Sequence, residues 1–220
     1  MNFERRYFNS KDYAFRAVEE TVDGVDKKYI EGYASVFDVR SKLILENGEL
    51  FYEEINRGAF DEVLERDGLD VIFTFNHDKN TVLARTISDT LKLSADDTGL
   101  FFRAEIEPED SDAKKLWLRI KRGDIDSNSF AFRVAENDYR WLPGEDDIPV
   151  RSIDRMSDLR DVSSVTYAAY PETSVSAREL AEVSKPKEEE EEDVSQEDKS
   201  KLVRDKLRMK IRIIQIENKL

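Results

Sequence analysis

Short runs in which apolar and polar residues alternate dominate the first 180 positions of this chain. Alternation of this kind suits strands, whose successive side chains point to opposite faces. Six stretches are predicted as strands: 29–37, 71–75, 91–93, 100–106, 129–134 and 162–167. Each is short, rich in β-branched or aromatic residues, and bounded by Asp, Gly, Asn or Pro. Two stretches predict helices instead. The first, 59–65, follows Gly58. The second, 111–122, opens on a Ser/Asp cap, carries Leu116, Trp117 and Ile120, and stops before Gly123. Between two of the strands, Asp96-Asp97-Thr98-Gly99 predicts a hairpin turn in which the glycine supplies positive φ. Residues 141–147 predict an exposed loop. Strands predominate and helices interrupt them without a βαβ rhythm, so the expected class is α+β and not a doubly wound parallel sheet. No internal repeat is visible.

The pattern changes near the C-terminus. From 183 to 200 the residues are mainly Lys, Glu, Ser and Asp, a composition with almost nothing to bury, which predicts a disordered acidic linker. Beyond it Leu202, Val203, Leu207, Ile211 and Ile214 recur at helical spacing, with Met209, Ile213, Ile216 and Leu220 on an adjacent face. The expected organisation is therefore a domain over 1–182, a linker over 183–200 and an amphipathic helix over 201–220. Such a helix either docks on the domain or on a copy of itself, or serves as an assembly handle for another protein.

Charge narrows the function. The 220 residues carry a formal net charge of −14, which argues against a general nucleic-acid binder, since phosphate contacts need clustered Lys and Arg. Cysteine is absent, so disulfides, cysteine nucleophiles and thiolate metal sites are excluded. No apolar run approaches the roughly 20 residues of a membrane span, and the first six residues lack the apolar core of a signal peptide. The expectation is a cytosolic protein with no membrane partner.

His77 is the one histidine of the chain. With no cysteine present, nucleophilic catalysis at neutral pH would have to use this imidazole as its base. A serine nucleophile also needs a third group to hold the imidazole and stabilise its charged form. Ser129, set in the alternating run Ser127-Asn128-Ser129-Phe130-Ala131-Phe132, is a candidate nucleophile, and Ser127 is its rival on the same strand face. Spacing alone does not choose among these residues. A lone histidine is commonly structural, and serine commonly alternates with aromatics on a half-exposed strand. The 49 acidic residues make any particular carboxylate pair uninformative, and no calcium-loop spacing occurs, so no metal or cofactor is implied.

Read in order, Asn56-Arg57-Gly58-Ala59-Phe60, Asn76-His77-Asp78, Asp97-Thr98-Gly99-Leu100, Ser129-Phe130-Ala131-Phe132 and Asp161-Val162-Ser163-Ser164 resemble the prohead proteases of tailed bacteriophages. The likeness runs over about 29–175 and rests on the order of the motifs, since none is specific alone. It implies a serine endopeptidase that cleaves scaffold and capsid proteins, and itself, inside an immature shell in the host cytoplasm. The implied partners are the phage major capsid protein with its scaffolding segment, and self-association. The implied fold is a β-barrel with surrounding helices, similar to the herpesvirus maturation proteases. Carried over by position, the resemblance makes His77 the base, Ser129 the nucleophile and Asp161 the third member. Asp161 stands where the family usually has glutamate, so backbone placement must make up one methylene of reach. Asp78 is the alternative third member, although its position suits capping a turn. Ala84 stands where the family tends to have glycine, which suggests backbone that need not take positive φ. The resemblance also implies a site poorly preorganised until assembly completes it. The competing reading is a catalytically silent scaffold of the same fold.

Overall fold

A computed structural model of the chain describes residues 3–9 and 13–166. The expected linker, the expected helix over 201–220 and the end of the strand expected at 162–167 lie outside the described residues. In chain order the first strands are β1 (Glu4–Asn9), β2 (Arg16–Val22), β3 (Val25–Val36), β4 (Ile44–Glu46) and β5 (Glu49–Ile55). After the short helix α1 (Asp61–Leu64) come β6 (Ile72–Phe75), β7 (Val82–Arg85), β8 (Leu91–Ala95) and β9 (Gly99–Ile106). Helix α2 (Ser111–Arg122) leads to β10 (Ser127–Arg133), β11 (Tyr139–Leu142), β12 (Val150–Ile153) and β13 (Asp158–Val165).

These strands make three sheets with orders β1-β10-β13-β6-β7, β2-β3-β9-β8 and β11-β12-β5-β4. The class is α+β and mostly sheet. The expected barrel is not formed: among the described residues β1 and β7 end the five-stranded sheet on opposite sides and do not pair with each other, so the sheet stays open.

The chain divides into two compact units. The first draws on residues up to 40, on 54–140 and on 152 onward; the second draws on 41–53 and 141–151. The core of the first unit gathers Ile30, Phe60, Phe73, Leu100, Phe102, Phe130, Phe132 and Val162, all fully or almost fully buried. Alternation puts them there. Along β9, Leu100, Phe102, Ala104 and Ile106 point inward while Phe101, Arg103 and Glu105 stay half-exposed. Helix α2 begins at Asp110, whose carboxylate accepts from Asp112 N and Ala113 N, and ends at Gly123 in the left-handed region with φ 82. It buries Leu116, Trp117 and Ile120, and Trp117 Nε1 donates to Val18 O and Tyr29 O at 3.2 and 3.1 Å. In the second unit β4 pairs with β5, Phe51 packs edge-on to Trp141, and Arg151 meets Glu53 at 3.2 Å in a buried ion pair.

The hairpin turn forms between β8 and β9, with Asp96 Oδ1 accepting from Thr98 N at 2.7 Å and Gly99 N at 3.2 Å. Its glycine acts differently from expectation. Gly99 is not among the positive-φ residues; a Cβ there would lie 2.0 Å from Ser35 O, so the position is glycine because β3 passes too close for any side chain. The stretch 141–147 is not all loop. Trp141 and Leu142 complete β11, and a 3-10 turn over Glu145–Asp147 follows.

Candidate active site

The five-stranded sheet aligns four residues in one row. Tyr7 on β1 stands opposite Ser129 on β10, Ser129 opposite Ser163 on β13, and Ser163 beside Thr74 on β6. Directly paired residues share a face, so these four side chains rise on the same side of the sheet. The neighbouring row, Phe130, Val162 and Phe73, points the other way into the core. Period-two alternation thus sorts small polar residues onto the site face and anchors them with large apolar ones beneath.

The Asn-His-Asp box supplies the imidazole. Strand β6 ends at Phe75, and Asn76 and His77 both take left-handed backbone, φ 51 and 58. Asparagine and histidine are among the residues that tolerate this region. Asn76 extends the pairing of β6 with β13: its N–H donates to Ser164 O at 2.9 Å, and its side-chain oxygen accepts from Thr166 N at 3.0 Å. Asp78 caps the turn that follows, accepting from Asn80 N at 3.0 Å. His77 between them is turned back over the sheet.

Its ring reaches both other candidates. His77 Nε2 lies 2.7 Å from Ser129 Oγ, and His77 Nδ1 lies 2.6 Å from Asp161 Oδ1. An ionised carboxylate can only accept, so the Nδ1 position carries the hydrogen and Nε2 is left to accept from the serine hydroxyl. That is the tautomer a general base requires. The His77 and Asp161 side chains are 5% and 2% exposed, and Ser129 has no exposed surface. The expectation of poor preorganisation does not match this geometry: the hydrogen bonds are in place, and what the arrangement withholds is access to Ser129. Tyr7 sets its ring edge-on to the imidazole, 5.9 Å between centroids.

The structure brings His77, Ser129 and Asp161 together and leaves the two alternatives apart. Ser127 donates to Asp126 Oδ1 at 2.9 Å. Asp78 is engaged by Asn80 and Thr81. A register shift between Ala131 and Phe132 leaves Arg160 as an extra residue between Leu159 and Asp161. A bulge of this kind re-aims the adjacent side chain, and it adjoins the position where aspartate must reach the ring.

The Gly-Ala-Phe box lies behind the serine. Gly58 takes φ 81, Ala59 O accepts from Met156 N at 2.7 Å, and Phe60 packs edge-on against Phe130 with centroids 6.0 Å apart. Ala84 is in β7 beside Phe73 and has ordinary strand backbone. Sequence reasoning gave no role to Ser163 or Thr74. Ser163 Oγ donates to Asp161 Oδ1 at 3.1 Å and lies 3.2 Å from His77 Nδ1. Its two-residue offset from Asp161 was a readable sign of a shared face; Thr74 needed the sheet register. Among the described residues no group of His, Asp and Glu could hold a metal ion, and no helix is long and apolar enough to cross a membrane.

Comparison with known proteins gives the chain a family. The family profile described as Caudovirus prohead serine protease matches residues 11–186. A prohead protease of Enterobacteria phage HK97 is 30% identical over 168 residues, which cover 76% of this chain and 68% of that protein. No solved structure matches significantly. A serine, a histidine and a carboxylate joined by hydrogen bonds, in a chain that this profile matches over residues 11–186, lead to one assignment: the chain belongs to the caudovirus prohead serine protease family.

Proposed function

We propose that this serine protease of phage prohead maturation works by acyl transfer, with Ser129 as nucleophile, His77 as general base and Asp161 as the group that orients and stabilises the imidazole. The observation that carries the reading is the continuous path from Ser129 Oγ through both ring nitrogens of His77 to Asp161, at 2.7 and 2.6 Å. As the serine oxygen attacks a peptide carbonyl, its proton passes to Nε2. The imidazolium so formed keeps its Nδ1–H on Asp161 and then delivers the Nε2 proton to the departing amine. Water, activated by the same nitrogen, hydrolyses the acyl-enzyme.

The substrates in this proposal are the phage major capsid protein with its scaffolding segment, and the chain itself near residues 185–199. The basic amphipathic segment at 201–220 would serve as the handle that carries the protease into the shell. A fold like that of the herpesvirus maturation proteases belongs to the same proposal. It is supported by a mostly β domain whose serine and acid stand on adjacent strands. Against a silent scaffold stands the complete hydrogen-bonded chain, which a scaffold has no need to keep. The test is co-expression with the shell protein of the same phage, read by intact-mass spectrometry. Wild type should yield a shortened shell protein, and Ser129→Ala should leave it full length. Equal processing by both would refute the proposal.

A further inference from the structure

The contact between Asp161 and His77 is held from a third side. Ser163 Oγ lies 3.1 Å from Asp161 Oδ1, 3.2 Å from His77 Nδ1 and 2.5 Å from Thr74 Oγ1. Backbone pairing enforces this meeting, because Ser163 stands beside Thr74 in the parallel β13–β6 register and two residues from Asp161 on the same face. Thr74 and Ser163 have no exposed surface, and Asp161 is 1% exposed.

Counting hydrogens gives the directions. Asp161 accepts only, and the Nδ1 hydrogen is already committed to it. Ser163 has one hydrogen. Giving it to Asp161 leaves the serine lone pairs facing the Thr74 hydroxyl on one side and the flank of Nδ1–H on the other. Every donor then has an acceptor, and Oδ1 receives two hydrogens at once. In a buried site such a chain is stronger than its separate links, and a carboxylate that lost one of its donors would be costly to keep charged.

We propose that Ser163 is a positioning residue for the reaction: its hydroxyl, oriented by Thr74, fixes the Asp161 carboxylate against His77 and helps bear the positive charge that forms when Ser129 gives up its proton. The inference rests on the assignment of His77 and Ser129 as base and nucleophile, and extends it by two buried hydroxyls. It separates Ser163 from an ordinary packed serine, whose loss would change stability and leave the imidazole alone.

The experiment uses the full-length chain and a fluorophosphonate probe, with the maximal labelling rate (kinact) and probe affinity (KI) measured separately. The Nδ1–H proton resonance is recorded alongside, and a single histidine makes it unambiguous. Ser163→Ala should lower kinact about 10- to 100-fold, as expected for one hydrogen bond to a charged group. It should leave KI nearly unchanged and shift the Nδ1–H resonance. Ser163→Thr, which keeps the hydroxyl, should recover most of the rate. Thr74→Val leaves Ser163 in place and should lower kinact by a smaller factor, about 2- to 10-fold; it decides the matter if Ser163→Ala does not fold. Wild-type kinact and an unmoved Nδ1–H resonance in Ser163→Ala would overturn the proposal, as would the same pair of results in Thr74→Val. Labelling of Ser129→Ala at the wild-type rate would strike the nucleophile assignment instead, so the two failures are distinguishable.

Discussion

Ser129 stands directly opposite Ser163 in the antiparallel pairing of β10 with β13. That single register places Ser129 Oγ beside His77 Nε2 and Ser163 Oγ beside Nδ1. A slip of β10 by one residue would turn Ser129 into the core and bring Phe130 to the site face beside Ser163.

The first prediction concerns the triad itself. Ser129→Ala or His77→Ala should lower kcat by roughly a millionfold, the scale seen when a residue of a concerted catalytic group is removed. Asp161→Asn should cost about 10⁴-fold, because an amide favours the wrong tautomer. Asp78→Asn should retain most activity and lose only part of its turn cap, about 1 kcal/mol of stability. Steady-state cleavage of a peptide substrate together with thermal melting separates these outcomes. An Asp78→Asn loss as deep as that of Asp161→Asn would reassign the third member.

Phe60 is the support behind the serine strand. Its ring is fully buried against Phe37 and Phe130. Phe60→Ala should destabilise the first unit by about 3–5 kcal/mol, the usual cost of emptying a buried aromatic site. Phe60→Leu should cost less. Urea unfolding followed by tryptophan fluorescence measures both, and a change below about 1 kcal/mol for Phe60→Ala would contradict the packing described.

Acid should weaken the fold through identified carboxylates. Hydrogen bonds from Arg140, joined by Asn56 and opposed by some burial, hold Asp154 below the usual carboxylate range. At Asp96 burial pushes the pKa up, yet hydrogen bonds from Tyr33 and from the backbone of Thr98 and Gly99 prevail and hold it low. A group whose folded pKa is depressed contributes fully above its unfolded value, near 3.9 for aspartate, and loses that contribution as pH falls through the folded value. Urea midpoints should therefore drop below about pH 4. Asp154→Asn should flatten the decline; a slope equal to wild type would show that Asp154 takes no part.

Access is the subject of a fourth prediction. Ser129 is wholly covered, while Tyr7 stands opposite it on the outer strand β1 with its ring against His77. Removing this ring should speed labelling of the serine, by about 2- to 10-fold if the aromatic contact is the barrier to opening. Fluorophosphonate labelling of Tyr7→Ala is the check. An unchanged or slower rate would show that Tyr7 is not the cover.

The six strands read from the sequence are all present, with ends shifted by a few residues, and α2 spans the residues predicted for it. Strands β2 and β5 each carry three charged residues among seven, and β12 is four residues long with Arg151 inside it, so alternation did not reveal them. Buried charges are matched across the sheets, as Glu53 on β5 with Arg151 on β12, and Glu31 on β3 with Arg16 on β2 and Arg103 on β9. Periodicity rules treat such residues as solvent-facing, and only the pairing shows where the opposite charge lies. The same limit hid Thr74. Its relation to Ser163 exists only through the parallel register of β6 with β13, two segments almost 90 positions apart. By contrast, the Asn-His-Asp box was legible as a unit, and its three residues divide the work of joining strands, presenting the ring and capping the turn.

The central claim is that Ser129 is the nucleophile and that His77 activates it. Peptide mapping of the fluorophosphonate-treated chain by mass spectrometry tests it most directly. The predicted result is a single adduct on Ser129, absent from Ser129→Ala and suppressed in His77→Ala. An adduct on Ser127, or one on Ser129 that forms at full rate without His77, would contradict the account.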